Sequence, residues 1–227
     1  MRGKINVMSK SVKWIICIWC FLYAVILVIA LKFESGVPIG DLGSINLRAL
    51  NNAFRGLFDY EQSGGCFRSL YILTEIFGAI SILACLFWMA LGVKDLIKYR
   101  DINDVDKSIF ATFLLYVLGL IVWRVVLGLS VSYAPVSVHP ASALVVSFPC
   151  GNSFLIIVSM CSSIYLIGYF LEEKKKLVLA LRIVCIVILV LGVILRTLSG
   201  VNWLTDILGA IGFAVPAVIL YSFICDV

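Results

Sequence analysis

The chain has 227 residues, of which 63% are hydrophobic and 14% are charged, and its mean hydropathy is +1.12. This balance lies far from that of a soluble globular domain and excludes a sizeable soluble domain between the apolar runs. The net charge of +5 does not indicate nucleic-acid binding, because the basic residues form short clusters beside the apolar runs. We therefore expect a single membrane domain over residues 1–227.

Six apolar segments recur along the chain. Each is close to the roughly 20 residues that a helix needs to cross a bilayer, and a backbone in hydrocarbon must form its hydrogen bonds within the segment. The sequence thus predicts an all-α integral membrane protein, a bundle of six transmembrane helices. The predicted helices are 12–31, 70–93, 108–130, 153–171, 177–194 and 206–225.

The first segment follows a basic N-terminal arm, so it could be either a signal peptide or a retained helix. Its apolar run, 14–31, is longer than a signal-peptide core, and no Ala-x-Ala-like cleavage site follows it. We expect a retained helix. Within it, Cys17 and Cys20 form a Cys-x-x-Cys. On a helix in lipid this is a pair of neighbouring apolar positions rather than a redox or metal site, since no other ligand type lies nearby in the sequence.

A short amphipathic helix is predicted in the next loop, at 47–58. Apolar residues occupy one face and polar residues the other. The apolar face could lie in the membrane interface, or the helix could pack on the bundle, and the sequence leaves both open. The apolar residues are Leu47, Leu50, Phe54, Leu57 and Phe58, and the polar ones are Arg48, Asn51, Asn52 and Arg55.

The orientation in the membrane follows from the basic residues. They concentrate in the N-terminal arm, in 94–107 and in 172–176, which places these segments and both termini in the cytoplasm. The connections 32–68, 131–152 and 197–205 then face outward from the cell membrane. Cys66 and Cys150 fall in these outer connections, where oxidation to a disulfide is permitted.

Two polar stretches lie on this predicted outer side. The earlier reads Phe-Pro-Cys-Gly-Asn-Ser over 148–153, and the later, over 196–206, places Arg196, Asn202 and Asp206 at fixed spacing. The pair resembles the type-2 phosphatidic acid phosphatase family of membrane lipid phosphatases. In that family the later motif is Ser-Arg, five residues, His, three residues, Asp, and the earlier is Pro-Ser-Gly-His. Both histidines are asparagines here, Asn152 and Asn202.

The resemblance implies phosphoryl transfer through a phosphohistidine, with Arg196 binding phosphate oxygens and Asp206 orienting the nucleophile. Asn202 stands at the nucleophile position, but an amide nitrogen has a delocalised lone pair and cannot form the phospho-enzyme. Asn152, at the proton-donor position, cannot act as a general acid. The resemblance therefore implies the pocket of a lipid phosphatase with impaired catalysis. It implies no cofactor, and we predict no metal site.

Each motif residue also has a structural interpretation. Arg196 could be a charge at the membrane boundary, although the family's spacing to Asp206 favours phosphate binding. Asp206 could cap the last helix, and we expect Asn152 to cap the fourth with Ser153. Gly151 would let backbone N–H groups approach an anion. Cys150 replaces the family's Ser, and no Arg follows at the spacing of a cysteine phosphatase.

The family's first motif, Lys, six residues, Arg-Pro, is essentially missing. Aligning His139-Pro140 with its Arg-Pro would put Ser132 at the Lys position. Arg124 is the other candidate cation; it could bind substrate, or it could extend to the interface. A pair between Arg124 and Glu75 is also open. His139 is the single His of the chain, and we expect it to be a surface loop residue.

The leading hypothesis is a protein that binds a lipid phosphate or polyprenyl phosphate headgroup at an outer pocket without hydrolysing it, as a binder or as a partner of another protein. The first alternative is an active phosphatase with a non-standard nucleophile, for which His139 is the available His. The second is a transporter or assembly subunit that shares only the bundle, although no internal repeat supports a transporter.

Overall fold

The computed structural model describes residues 9–34, 37–38, 44–45, 47–100, 105–136, 138 and 145–225. Over these residues the chain forms a bundle of six long helices, with one short helix and a two-residue antiparallel strand pair between the first two long ones. Its elements are α1 Lys10–Phe33, β1 Val37–Pro38, β2 Ser44–Ile45, α2 Arg48–Arg55, α3 Arg68–Tyr99, α4 Lys107–Gly128, α5 Gly151–Phe170, α6 Lys175–Leu198 and α7 Leu204–Ile224.

All six long helices are long and apolar enough to cross a membrane, which confirms the predicted all-α bundle. Some ends differ from the predicted ones. α3 continues past residue 93 to Tyr99 and stops where Arg100 adopts a left-handed conformation, with φ 55°. The predicted cytoplasmic loop 94–107 therefore begins inside a helix, because apolarity marks the part of a helix in lipid whereas helix propensity decides where the helix itself ends.

The centre of the bundle is α5, the most buried of the six spans, which contacts α3, α4, α6 and α7. Its buried serines let neighbouring helices approach and form hydrogen bonds between them. Ser159 donates to the carbonyl of Ser81 at 2.9 Å, and Ser163 accepts from the Trp88 indole at 2.9 Å. The outward faces of the long helices carry exposed Ile, Leu, Val and Phe, as expected of surfaces that meet lipid.

The short helix α2 packs on the bundle through its polar face. Asn51 is buried, donates to Thr205 Oγ1 at 3.0 Å and accepts from the Thr205 N–H at 3.2 Å. Leu50 and Leu57 on the apolar face remain exposed. The interpretation that this helix packs on the bundle is thus confirmed, and Leu47 of the apolar face also packs against a buried cluster that contains Leu31 and Phe148. The interpretation that its apolar face lies in the membrane interface stays a prediction.

All eight cysteines are free. The disulfide considered between Cys66 and Cys150 is therefore absent, although both residues are buried. Cys17 is buried against α7, where its thiol lies 3.9 Å from the carbonyl of Pro216. Cys17 thus behaves as a small apolar residue at a helix contact, as expected of the Cys-x-x-Cys in α1.

Candidate functional site

The two motif stretches are in direct contact at one end of the bundle. Cys150 is the residue before α5, and its N–H donates to the backbone carbonyl of Asp206 in the first turn of α7 at 3.0 Å. The Cys150 thiol also lies 3.6 Å from Asn202 Oδ1. The start of α5 and the α6–α7 connection therefore form one site.

Arg196 lies in the last turn of α6 and is 9% exposed. Its Nε donates to Asn202 Oδ1 at 2.8 Å. Its Nη1 donates to Glu75 Oε1 at 2.6 Å and to Thr74 Oγ1 at 3.3 Å, both on α3. The guanidinium also lies 5.2 Å from the centre of the Tyr71 ring. Side chains of α3 and of the α6–α7 connection thus surround the cation.

Asn152 reaches the same carboxylate from α5. Its Nδ2 donates to Glu75 Oε1 and to the Thr74 carbonyl, each at 3.2 Å. The prediction that Asn152 caps this helix with Ser153 is wrong: the N-cap is Cys150, without a side-chain cap bond, and Asn152 is already the second helical residue. Asn152 instead faces Gly78, where an added Cβ would lie 3.0 Å from Asn152 Oδ1.

Asp206 is fully buried in the first turn of α7. Its Oδ2 accepts from the Trp203 N–H at 3.0 Å, which satisfies one of the free donors at the helix start from inside the helix. Asp206 thus makes the hydrogen bond expected of a capping residue, but it lies inside α7, and the residue at the N-cap position is Trp203.

Asn202, the asparagine at the family's nucleophile position, contacts the arginine of the site. Because its Oδ1 accepts from Arg196, Asn202 is one of the hydrogen-bond partners that hold the guanidinium.

The α6–α7 connection is held from outside by residues that sequence reasoning did not assign to the site. Gly200 adopts φ 76°, and an added Cβ would lie 2.5 Å from the Tyr60 ring. Arg55 donates to the Gly200 carbonyl at 2.9 Å and to the Gly65 carbonyl at 2.6 Å. Burial lowers the pKa of Arg55 and raises that of Tyr60. The connection that carries Asn202 is therefore held in place by the half-buried Arg55 and by the Tyr60 ring. In the sequence, the signals for this contact were Arg55 on the predicted short helix and Gly200 in the connection.

The remaining predicted site residues have other surroundings. Arg124 on α4 is exposed, and its guanidinium lies 5.8 Å from the ring of its neighbour Trp123. Glu75 pairs with Arg196, at 2.6 Å, and not with Arg124. The space above Gly151 is filled by Trp123, since an added Cβ would lie 2.7 Å from that ring. His139 and Pro140 lie outside the described residues, and Ser132 is buried.

The site's charges come from one arginine and two carboxyl groups. Arg196 and Asn152 converge as donors on one oxygen of Glu75, so the site binds an anion that the chain itself supplies. Neither asparagine can attack phosphorus or transfer a proton near neutral pH. Within the part of the chain that the structure describes, no group of three or more His, Cys, Asp or Glu side chains could hold a metal ion.

No protein-family model matches the chain, and no curated protein matches it in sequence. The fold is similar to the crystal structure of a transmembrane PAP2-type phosphatidylglycerolphosphate phosphatase from Bacillus subtilis, with a TM-score of 0.58 over 92% of this chain and 96% of that chain. The two sequences are 19% identical over the match. The predicted bundle of the type-2 phosphatidic acid phosphatase kind is thereby confirmed, and the chain has the fold of a membrane PAP2-type lipid phosphatase.

Proposed function

We propose that this membrane protein binds a lipid phosphate or polyprenyl phosphate headgroup at Arg196 and does not hydrolyse it. The observation that carries the proposal is the convergence of Arg196 Nη1 and Asn152 Nδ2 on one carboxylate oxygen, at 2.6 and 3.2 Å. A guanidinium and a neutral amide N–H that meet at one anionic oxygen provide the interaction that a phosphate oxygen needs. The fold shared with a membrane lipid phosphatase supports a lipid as the source of that phosphate.

The absence of catalysis follows from the two asparagines. A phosphatase of this kind needs a nucleophile with a usable lone pair and a proton donor for the leaving oxygen. Asn202 instead accepts from Arg196, and Asn152 donates to Glu75. Asp206 is buried beside them but has no histidine to orient at position 202. We therefore propose a binder or regulatory partner with an outward-facing site, both termini being cytoplasmic by the distribution of basic residues.

The test is binding and turnover measured on the same purified protein in lipid nanodiscs. Phosphatidate and a polyprenyl diphosphate serve as ligands, and released phosphate reports hydrolysis. We expect binding without phosphate release. Arg196→Gln should weaken binding by about tenfold or more, since it removes a charge-assisted contact. Arg124→Gln is the matched control, because Arg124 is exposed, and it should change binding by less than about twofold.

Three results would contradict the proposal. Binding that is indifferent to Arg196→Gln would remove the pocket and favour a transporter or assembly subunit with the same fold. Phosphate release that is lost in His139→Ala would identify an active phosphatase with a non-standard nucleophile. Release that persists in His139→Ala and is lost in Asn202→Ala would show that the argument against Asn202 is wrong.

A further inference from the structure

We propose that Glu75 is an internal competitor for the headgroup: its carboxylate occupies the anion position and must leave before a phosphate can bind. This inference rests on the proposed function. Glu75 Oε1 accepts from Arg196 Nη1 at 2.6 Å and from Asn152 Nδ2 at 3.2 Å. These are the two donors to which the proposal assigns the phosphate oxygen. Carboxylate and phosphate cannot both accept from the same N–H groups, so binding is an exchange.

The exposure of the two partners indicates which one moves. The Arg196 side chain is 11% exposed, whereas that of Glu75 is 48% exposed. Oε2 of Glu75 makes no hydrogen bond to any described residue. The carboxylate is therefore held through one oxygen, and nearly half of the side-chain surface is not covered by the protein. Arg196 is fixed by Asn202 as well, so the glutamate is the mobile member of the pair.

The rest of the site does not depend on Glu75 for its position. The neighbouring Thr74 also connects α3 to the site, because its carbonyl accepts from Asn152 and its hydroxyl from Arg196. When Glu75 moves away, both donors keep a partner on α3 and stay in place. What changes is the charge, since the guanidinium is left without its counter-ion and an incoming phosphate can supply one.

The exchange has a consequence for affinity. A ligand binds only to the fraction of molecules in which the donors are free, so the apparent affinity falls by that fraction. Glu75 also repels a second negative charge in the same place. We infer that Glu75 keeps the site closed to weak anions and sets the affinity for the headgroup.

The first experiment replaces Glu75 by Gln, which keeps the shape and removes the charge. Binding of phosphatidate in nanodiscs should tighten by about fivefold or more, as expected for the loss of a charged hydrogen-bonded competitor. Glu61→Gln is the matched control: Glu61 is exposed in the loop before α3, so its loss should change binding by less than about twofold.

The second experiment needs no variant and holds even if Glu75→Gln does not fold. Carboxyl groups of the wild-type protein are labelled with a carbodiimide and glycine ethyl ester, and the label at Glu75 is quantified by mass spectrometry with and without phosphatidate. Displacement predicts more label at Glu75 with the lipid and unchanged label at Glu61.

The outcomes separate the two proposals. Unchanged or weaker binding in Glu75→Gln, or unchanged or reduced label at Glu75 when phosphatidate binds, overturns the proposal that Glu75 is a competitor. The binding pocket at Arg196 still stands in that case if Arg196→Gln weakens binding by about tenfold or more. Binding that is indifferent to Arg196→Gln overturns both.

Discussion

Two arginines of α6 lie about four turns, or roughly 21 Å, apart and have different surroundings. Arg182 donates from Nε to the carbonyl of Ile164 at 3.1 Å, its one hydrogen bond within the described part of the chain. Its guanidinium fills the space over Gly168, where an added Cβ would lie 1.7 Å from Nη2. Arg196, by contrast, donates to three side chains: those of Asn202, Thr74 and Glu75.

The difference separates two ways of keeping an arginine in a membrane bundle. Arg182 packs over Gly168 and donates to a backbone carbonyl, so its contacts are those of helix packing. The partners of Arg196 are polar side chains from α3 and the α6–α7 connection, and they include another charge, Glu75, half of whose surface is exposed. Helix packing does not need such a set, and a polar or charged cluster at a bundle interior is by default a functional candidate. We therefore expect substitutions at the two arginines to affect different properties.

The largest expected effect is that substitutions at the two arginines change different measured quantities: lipid affinity at Arg196 and thermal stability at Arg182. Arg196→Gln should weaken phosphatidate binding by about tenfold or more, because the guanidinium is the cation of the site. Arg182→Gln should leave binding within about twofold and lower the thermal midpoint, because the packing against Gly168 is lost. Titration with phosphatidate and thermal unfolding of both variants measure this. A tenfold loss of binding in Arg182→Gln would contradict the distinction.

A smaller effect on stability alone is expected from Gly168→Ala. The added methyl group collides with the Arg182 guanidinium, which must move away and lose its hydrogen bond to the Ile164 carbonyl, a loss of about 0.5–1.5 kcal/mol. The thermal midpoint should fall while the folded fraction binds phosphatidate normally. Gly128→Ala is the control, since an added Cβ there meets nothing within 4 Å, and its midpoint should not fall. Weaker binding in folded Gly168→Ala would show that Arg182 contributes to the site.

The smallest effect is expected at the edge of the Arg196 network. Thr74→Val keeps the shape and removes a hydroxyl that accepts from Arg196 at 3.3 Å. Because this contact is long and the arginine keeps its other partners, binding should weaken by about two- to threefold. Thr197→Val is the matched control, since the Thr197 hydroxyl donates to Val193 in its own helix. Equal effects of the two changes on phosphatidate affinity would argue against a contribution from Thr74.

The sequence predicts where the membrane helices lie along the chain, but it does not predict which face of each helix meets which neighbour. Apolar runs of about 20 residues predict where the chain crosses the membrane, and the basic clusters placed both motifs at one end. The sequence suggested Arg124 as a partner for Glu75 and did not suggest Arg196, because the partner depends on how α3 faces α4 and α6. The structure pairs Glu75 with Arg196.

Two further features depend on packing that leaves no periodic signal. The sequence predicts Asn152 as a helix cap, but α5 begins at Gly151, two residues before the predicted start, and the Asn152 amide donates to α3. Asn51 belongs to the polar face of an amphipathic pattern, yet it is buried against Thr205. In both cases a polar side chain finds its partner on another helix. Local sequence gives the polarity of these residues, whereas tertiary contacts decide their neighbours.

The central claim, binding of a lipid phosphate without hydrolysis, is tested most directly by following one radiolabelled lipid through both steps. Wild-type protein in nanodiscs is incubated with phosphatidate labelled in its phosphate, and bound lipid and free phosphate are counted over time beside Arg196→Gln. We predict bound, intact phosphatidate in the wild type, about tenfold less in the variant, and no free phosphate above the level of empty nanodiscs. Release of phosphate above the level of empty nanodiscs, or equal binding of phosphatidate by the wild type and Arg196→Gln, would contradict the account.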